Sequence, residues 1–423
     1  MNTVISQQKP PSSVDVAVIG AGAAGIAAAR ALAGHPVTVA VLEARDRLGG
    51  RAHTLEAEGV GLDMGCGWLH SADENLLSVM AENAGYGIDR TPPPWETQAF
   101  NHEMTPGAQQ DFGDAFAAFE DRVAQAASRG DDGPASELFD PASPWNGRID
   151  AISGALNGAR FKEVSIKDYD AYRDTGVNWR VVGGYGRFIA AMGEDLPVVL
   201  DCAVSRIDRR GPTLKLETTR GVVEAKTVII TAPTDLIARE ALRIDPPVPE
   251  LLDAAAGVPL GLASKVHMTV TGAEDFPKDS QLWGRQDTAD TGGYHLRPYG
   301  RAMIEGYFGA DLAWALEAEG ERAFFDFATE ELVALLGSDM RKRLGFVAAT
   351  MWGADPWSHG SYSHALPHHA DNRARMKTPI ERRIFIAGEA TAEAFYGTAH
   401  GAWMEGERAA MQALSVLGLS GRG

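Results

Sequence analysis

The stretch VDVAVIGAGAAGIAAARAL, at 14–32, constrains the fold of this chain more than any other. An apolar β-rich run meets a glycine-rich turn, and an alanine-rich run follows. This is the order strand, turn, helix. GAGAAG sets Gly20, Gly22 and Gly25 in G-x-G-x-x-G spacing. In such a turn the first glycine permits the tight bend, the second lets the backbone approach a pyrophosphate, and the third lets helix and strand pack closely. The helix N-terminus then presents free N–H groups and a positive dipole end to the phosphates. A second β-rich run, VTVAVLEAR, ends near Glu43, which stands 23 residues beyond Gly20. A carboxylate at that distance accepts ribose hydroxyls and repels a 2′-phosphate. The opening of the chain is therefore a βαβ dinucleotide-binding unit.

The residues after Glu43, EARDRLGGRAHT, add the glycine pair Gly49 and Gly50 and the guanidinium of Arg51. Together they offer more donors to a pyrophosphate than an NAD site needs. Beyond this unit the character of the chain changes. Phe112, Phe116, Phe119 and Val123 fall at helical spacing, among proline-rich loops. Strand-like runs return at 198–210 and 222–232. DPPVPE at 245–250 reads as a linker. Strand candidates at 263–270 and 302–308 and a long helix in ERAFFDFATEELVALLG come next. A short buried strand, RIFIAGEA, leads to a terminal helix from about Ala402. The expected architecture is α/β, α+β overall. A Rossmann-like domain made of 1–75, 178–245 and 379–423 is interrupted by a substrate domain of mixed sheet and helices at 76–177 and 246–378.

Composition narrows the function. Among 423 residues, 39 are Lys or Arg and 57 Asp or Glu, a net charge of −18. That balance disfavours nucleic acid and anionic membranes as partners. The chain has two cysteines and no Cys/His cluster of metal-binding spacing, so neither a disulfide framework nor a metal site is expected. The first residues lack the pattern of a secretory signal, and no apolar run reaches the length of a membrane helix. The expectation is a cytoplasmic protein, monomer or homodimer.

The blocks along the chain resemble the FAD-dependent amine oxidases of the monoamine oxidase, polyamine oxidase and histone lysine demethylase superfamily. EARDRLGGRAHT is similar to the segment after the ribose-binding acid. DMGCGWLHS resembles the segment beside the flavin ring, and VVGGYGRFIAAM the opening of the second part of the FAD domain. CAVSRID, VIITAPTDLI, WGADPWSHGSYSH and IFIAGEATAEAFYGTAHGAWMEGERAA follow in family order, while 90–175 matches least. The resemblance implies that FAD is held by Gly20, Gly22, Ala24 and Gly25, by Glu43, Ala44, Arg45, Gly50 and Arg51, and by Gly67, Trp68 and Val204. It adds Trp357, the pair Gly388 and Glu389, and Thr398 and Ala399 at the start of the last helix. Neither Cys66 nor Cys202 stands in the block after the GE pair, so the implied FAD is noncovalent.

Lys265 lies inside an apolar strand, GLASKVHMTV. Alternation puts it on one face with Ala263 and His267, and periodicity alone reads it as an edge-strand lysine in solvent. The resemblance implies another role, holding a water at flavin N5. It also implies that Tyr362, in GSYS, flanks a substrate amine, and that His70, Tyr396 and Thr398 line the substrate site. Thr398 replaces the second tyrosine of the monoamine oxidases. Trp352 reads as core, and SHALPHHADN, with His364, His368, His369 and Asp371, as a solvated loop. The implied activity is oxidation of a small-molecule amine, with oxygen as the second partner. A FAD-dependent desaturase or isomerase of an apolar substrate is the alternative, since it shares the N-terminal fingerprint.

Overall fold

The computed structural model describes residues 9–96, 98–102 and 104–419. Its first strand, Ser13–Ile19, runs parallel to Val39–Leu42 on one side and to Gly221–Ile230 on the other. Val198–Val199 and Ile384–Ile386 extend this parallel arrangement. Leu214–Thr218 adds an antiparallel strand, beyond which lie Val204–Asp208 and Arg243–Asp245. The dinucleotide sheet is thus assembled from three separate stretches of chain.

Small residues explain why the end of the chain returns to its beginning. Helix Ala23–Ala33 is buried along Ala23, Ala24, Ala27 and Ala28. The terminal helix, Ala399–Val416, packs on it through Gly406, Ala409, Ala410 and Ala413. A Cβ on Gly406 would stand 2.0 Å from the carbonyl oxygen of Ala24, so the two backbones approach closely only because the glycine has none. This helix begins three residues before the expected Ala402, with Thr398 as its N-cap.

A second sheet has five antiparallel strands in the order Ser280–Trp283, Gly293–Leu296, Met303–Gly309, Ala263–Val270 and Leu344–Ala349. Helix Glu321–Leu336 covers it, burying Phe324, Phe325, Ala328 and Leu332. The strand holding Lys265 has a partner on each side, Lys265 itself facing Tyr307. The edge-strand reading of Lys265 is therefore corrected: its strand is interior.

Helix Pro106–Ser128 forms where the phenylalanine spacing places it, with Thr105 as N-cap and a proline in its first turn. It packs with Asn146–Asn157 and Ile166–Ala171 around Phe119 and Phe161. DPPVPE is only a short connection from strand Arg243–Asp245 to helix Pro249–Ala256, which packs against the dinucleotide sheet through Leu251, Ala254 and Ala255. No helix among the described residues is long and apolar enough to cross a membrane.

Candidate active site

Between the two sheets and the helical insert lies a cavity of about 1170 Å³. That exceeds the roughly 300–1,000 Å³ of a pocket for one drug-sized ligand. A dinucleotide and an organic substrate fit in it side by side.

One end has the shape expected of a phosphate cradle. Gly20 has φ +101°, a left-handed conformation that favours glycine. A Cβ on Gly25 would lie 1.9 Å from the carbonyl oxygen of Gly20, so helix and turn meet there without room for a side chain. Gly25 supports the turn from behind, whereas Gly20, Gly22 and Ala24 line the cavity. No side chain among the described residues caps helix Ala23–Ala33, so its first N–H groups remain for an anion. Glu43 is buried, its Oε2 accepting from the Ala21 N–H at 2.6 Å and its Oε1 from the Arg45 N–H at 2.8 Å. Each oxygen keeps a lone pair for a ribose hydroxyl. Ala44, Arg45, Gly50 and Val204 line the same end. Arg45 Nη2 donates at 2.7 Å to Asp355, which also accepts from the Trp357 N–H at 2.8 Å, and so brings Trp357 to the wall.

The middle of the cavity is reached by Gly67, Trp68, Gly388, Thr398 and Ala399. Arg51 Nη1 donates to Ser361 O at 2.7 Å and to Glu389 Oε1 at 2.9 Å. Glu389 Oε2 accepts from Ser363 Oγ at 2.7 Å and from the Gly397 N–H at 2.9 Å. Burial opposes ionisation of Glu389, but Arg51, Arg373 and these donors outweigh it and hold its carboxyl below the usual range. Arg373 is 1% exposed and pairs with Asp168, Nε to Oδ1 at 2.5 Å and Nη2 to Oδ2 at 2.9 Å. It also donates to Ser363 Oγ at 2.8 Å. Asp168, Arg373, Ser363, Glu389 and Arg51 therefore form one buried chain from the helical insert to the cavity. Each charge in it is paired, as a dry interior requires.

Lys265 Nζ donates to Asp63 O at 2.9 Å and to Gly65 O at 2.6 Å. A lysine head group has three donors, so one is left for the cavity. The Asp63 carboxylate meanwhile accepts from Thr54 Oγ1 at 2.6 Å and from the N–H groups of Tyr185 and Gly186 at 2.9 and 3.1 Å. Lys265 thus ties its strand to the loop that carries Trp68. It also borders a second, polar cavity of about 30 Å³, lined by Arg180, His295, Arg301, Glu305 and Tyr307. That volume is large enough for a water.

Tyr362 lines the cavity with its hydroxyl donating to Ala155 O, on the helical insert. Tyr396 is buried, with Arg373 Cζ 4.0 Å from its ring centroid and Tyr172 edge-on at 5.2 Å. Tyr172 also lines the cavity, and its place there had no signal in the sequence. His70 Nδ1 is 2.7 Å from Asn178 Oδ1, and burial pushes its pKa down. All the anticipated site residues except Gly25 face one cavity.

One expectation needs correction, the solvated-loop reading of His364. Cys66, in the segment expected beside the flavin, lines the cavity, and burial and then Asp63 push its thiol up to about 12. It is a thiol, not a thiolate, at neutral pH. His364 is buried, although His368, His369 and Asp371 of the same stretch are exposed. Trp352 is buried as expected but also lines the cavity, its Nε1 donating to Met64 O at 3.0 Å.

Burial pushes both His364 and His400 down to about 4. Their folded-state pKa values lie below the unfolded value, so the unfolded chain binds more protons between about pH 6.5 and 4. Stability is present above that window and is lost as pH falls through it. Asp63, whose carboxyl burial raises, acts in the opposite sense. Urea unfolding at pH 7 and pH 5 is expected to differ by about 1.5–2 kcal/mol per histidine. His364→Gln removes its share of that difference, and an unchanged pH dependence in the variant contradicts the assignment.

The comparisons with known proteins agree with this geometry. The family model for flavin containing amine oxidoreductase matches residues 23–127 and 130–414. Polyamine oxidase 4 of Oryza sativa subsp. japonica is 27% identical over 446 residues, covering 95% of this chain and 88% of its own. Lysine-specific histone demethylase 1 homolog 3 of Oryza sativa subsp. indica is 28% identical over 453 residues, covering 95% of this chain and 54% of its own. Putrescine oxidase bound to putrescine superposes with a TM-score of 0.78 at 21% identity, over 96% of this chain and 100% of that one. Cyclohexylamine oxidase from Brevibacterium oxydans superposes with a TM-score of 0.76 at 21% identity. These matches favour the amine over the apolar substrate of the alternative reading. With a family match over nearly its whole length, the chain belongs to the flavin containing amine oxidoreductases, FAD-dependent enzymes that act on amines.

Proposed function

We propose that the protein is an amine oxidase that binds FAD noncovalently, oxidises a C–N bond of a small amine to an imine that water hydrolyses, and releases hydrogen peroxide when oxygen is the second substrate. FAD, when bound, supplies the acceptor for the hydride of the amine α-carbon. The observation that carries the reading is the convergence of Lys265, from the interior of the antiparallel sheet, with Tyr362 and Thr398 beside the phosphate cradle. Gly20, Gly22, Glu43 and the uncapped helix N-terminus suit the pyrophosphate and ribose. Thr398 Oγ1 accepts from the Gly401 N–H at 3.0 Å and fixes the start of the last helix, whose positive end favours negative charge beside it. The Tyr362 ring is an apolar wall that favours a cationic or partly cationic amine. Lys265 keeps a donor for a water. Exposed carboxylates of Glu96, Glu120, Asp121, Asp170 and Asp174 line the outer cavity and draw amines towards it.

The test is anaerobic. A panel of primary, secondary and cyclic amines is added to the yellow protein, and bleaching of the flavin spectrum is followed; oxygen is then admitted and peroxide measured. The expected result is bleaching by at least one amine and one peroxide per amine consumed. A spectrum that no amine alters refutes the reading. Acid precipitation is expected to leave the yellow colour in the supernatant, and colour in the pellet refutes the noncovalent assignment.

A further inference from the structure

The substrate cavity contains a buried cation that meets no hydrogen-bonding partner among the described residues. Arg148 lies in the first turn of helix Asn146–Asn157 and lines the cavity. It is 5% exposed. Its Nε is buried and unbonded, and its guanidinium forms no hydrogen bond or ion pair among the described residues. The guanidinium carbon stands 4.2 Å from the ring centroid of Trp283 and 5.4 Å from that of Phe112. Burial pushes its pKa down to about 9, with Glu331 pulling the other way.

Glu331 is not its partner. Its Oε1 accepts from Thr291 Oγ1 at 2.6 Å and from the Arg285 N–H at 3.2 Å, and its Oε2 from the Gly292 N–H at 3.0 Å and the Tyr294 hydroxyl at 2.6 Å. The two aromatic faces offset part of the desolvation of Arg148. They do nothing for the N–H donors of its planar fork, which match a carboxylate two at a time. Buried charges are ordinarily paired, and Arg373 in this same molecule is paired on every side. A buried guanidinium facing a ligand cavity with its donors unused is set to receive an anion.

We propose that Arg148 binds a carboxylate carried by the substrate, so that the amine is an ω-amino carboxylate. This deepens the amine oxidase reading and rests on it. The same helix supplies a ruler. Tyr362, at the amine end, bonds to Ala155 O. Arg148 and Ala155 are seven residues apart, which puts them on one helix face at a separation of roughly 10 Å. A chain of several carbons between amine and carboxylate spans that interval. A diamine of the same length sets its second cation against Arg148 in a poorly solvated place, where like charges repel strongly. The carboxylates at the mouth stand in solvent and their attraction is screened. They favour any amine, while Arg148 selects among amines.

The experiment uses the FAD-loaded protein and three series matched in chain length: ω-amino carboxylates, alkyl monoamines and diamines. Anaerobic bleaching gives an apparent Kd and a limiting rate for each. The parent enzyme is expected to prefer the ω-amino carboxylate, chiefly through Kd. Arg148→Met is expected to weaken that preference over the alkyl monoamine about tenfold, and Arg148→Lys to restore part of it. A purely structural arginine lowers the unfolding midpoint and affects all three series alike, and that pattern overturns the proposal. Hexanoate, which has no amine, gives an independent readout. It is expected to perturb the flavin spectrum of the parent and of Arg148→Lys, and not of Arg148→Met. Bleaching by amines without any carboxylate preference sinks the carboxylate site and leaves the amine oxidase standing. Binding of hexanoate that depends on Arg148, in a protein that no amine bleaches, has the opposite meaning.

Discussion

Gly22→Val is expected to yield a folded protein that carries no FAD. The two consequences separate because the added atoms meet ligand space and not protein. A Cβ at Gly22 would stand 3.8 Å from both Gly49 O and Gly50 Cα, an ordinary contact distance. The methyl groups of valine then fill the gap between the two glycine turns, where a pyrophosphate must approach the backbone. Valine is also a poor residue at a helix N-cap, so a loss of about 1 kcal/mol in stability accompanies the change. Gly25 is different in kind. A Cβ there meets the Gly20 carbonyl at 1.9 Å, so Gly25→Ala distorts the turn itself. The ratio of flavin to protein absorbance after purification, read beside the unfolding midpoint, distinguishes the variants. Normal flavin content in Gly22→Val refutes the cradle.

The contrast also marks what a sequence can disclose. The cradle was legible because its parts are local: three glycines in six residues and an acid one strand later report on a single βαβ unit. Tyr362 and the GE pair were legible through resemblance, since each stands in a short block of fixed composition. The Asp168–Arg373 pair was not, because its members are 205 positions apart and neither has a neighbouring motif. Tyr172 and Arg148 belong to the insert, whose residues reach the cavity only because helices Pro106–Ser128 and Asn146–Asn157 pack where they do. Spacing along one helix reveals which face is apolar, and says nothing of what another element puts opposite. His364 shows the converse. Its polar surroundings in sequence suggested solvent, but its neighbours Ser363 and Ala365 are both fully buried and it lies inside with them.

Lys265→Met is expected to leave the fold and the bound FAD in place and to slow reoxidation by oxygen at least tenfold. Methionine keeps an unbranched stem of similar length in the interior strand. What disappears is the head group with its hydrogen bonds to Asp63 O and Gly65 O, together with the remaining donor. Loss of the two carbonyl contacts costs about 1 kcal/mol each, modest beside the three hydrogen bonds that still hold the Asp63 carboxylate and anchor this loop. The cofactor contacts proposed at Gly20, Glu43 and the first helix lie elsewhere on the dinucleotide sheet and are expected to stay untouched. If the remaining donor of Lys265 positions the water that serves reoxidation, its removal forfeits at least about 1.4 kcal/mol of barrier stabilisation, which is the tenfold effect. Reduction by amine, which the proposed site assigns to Tyr362 and the aromatic wall, is expected to change less. Stopped-flow spectroscopy reads the two half-reactions separately. A variant that is reduced slowly but reoxidised at the parent rate assigns Lys265 to the shape of the Trp68 loop and not to the handling of oxygen. Equal slowing of both half-reactions with a lowered flavin content means that the two carbonyl contacts are its whole role.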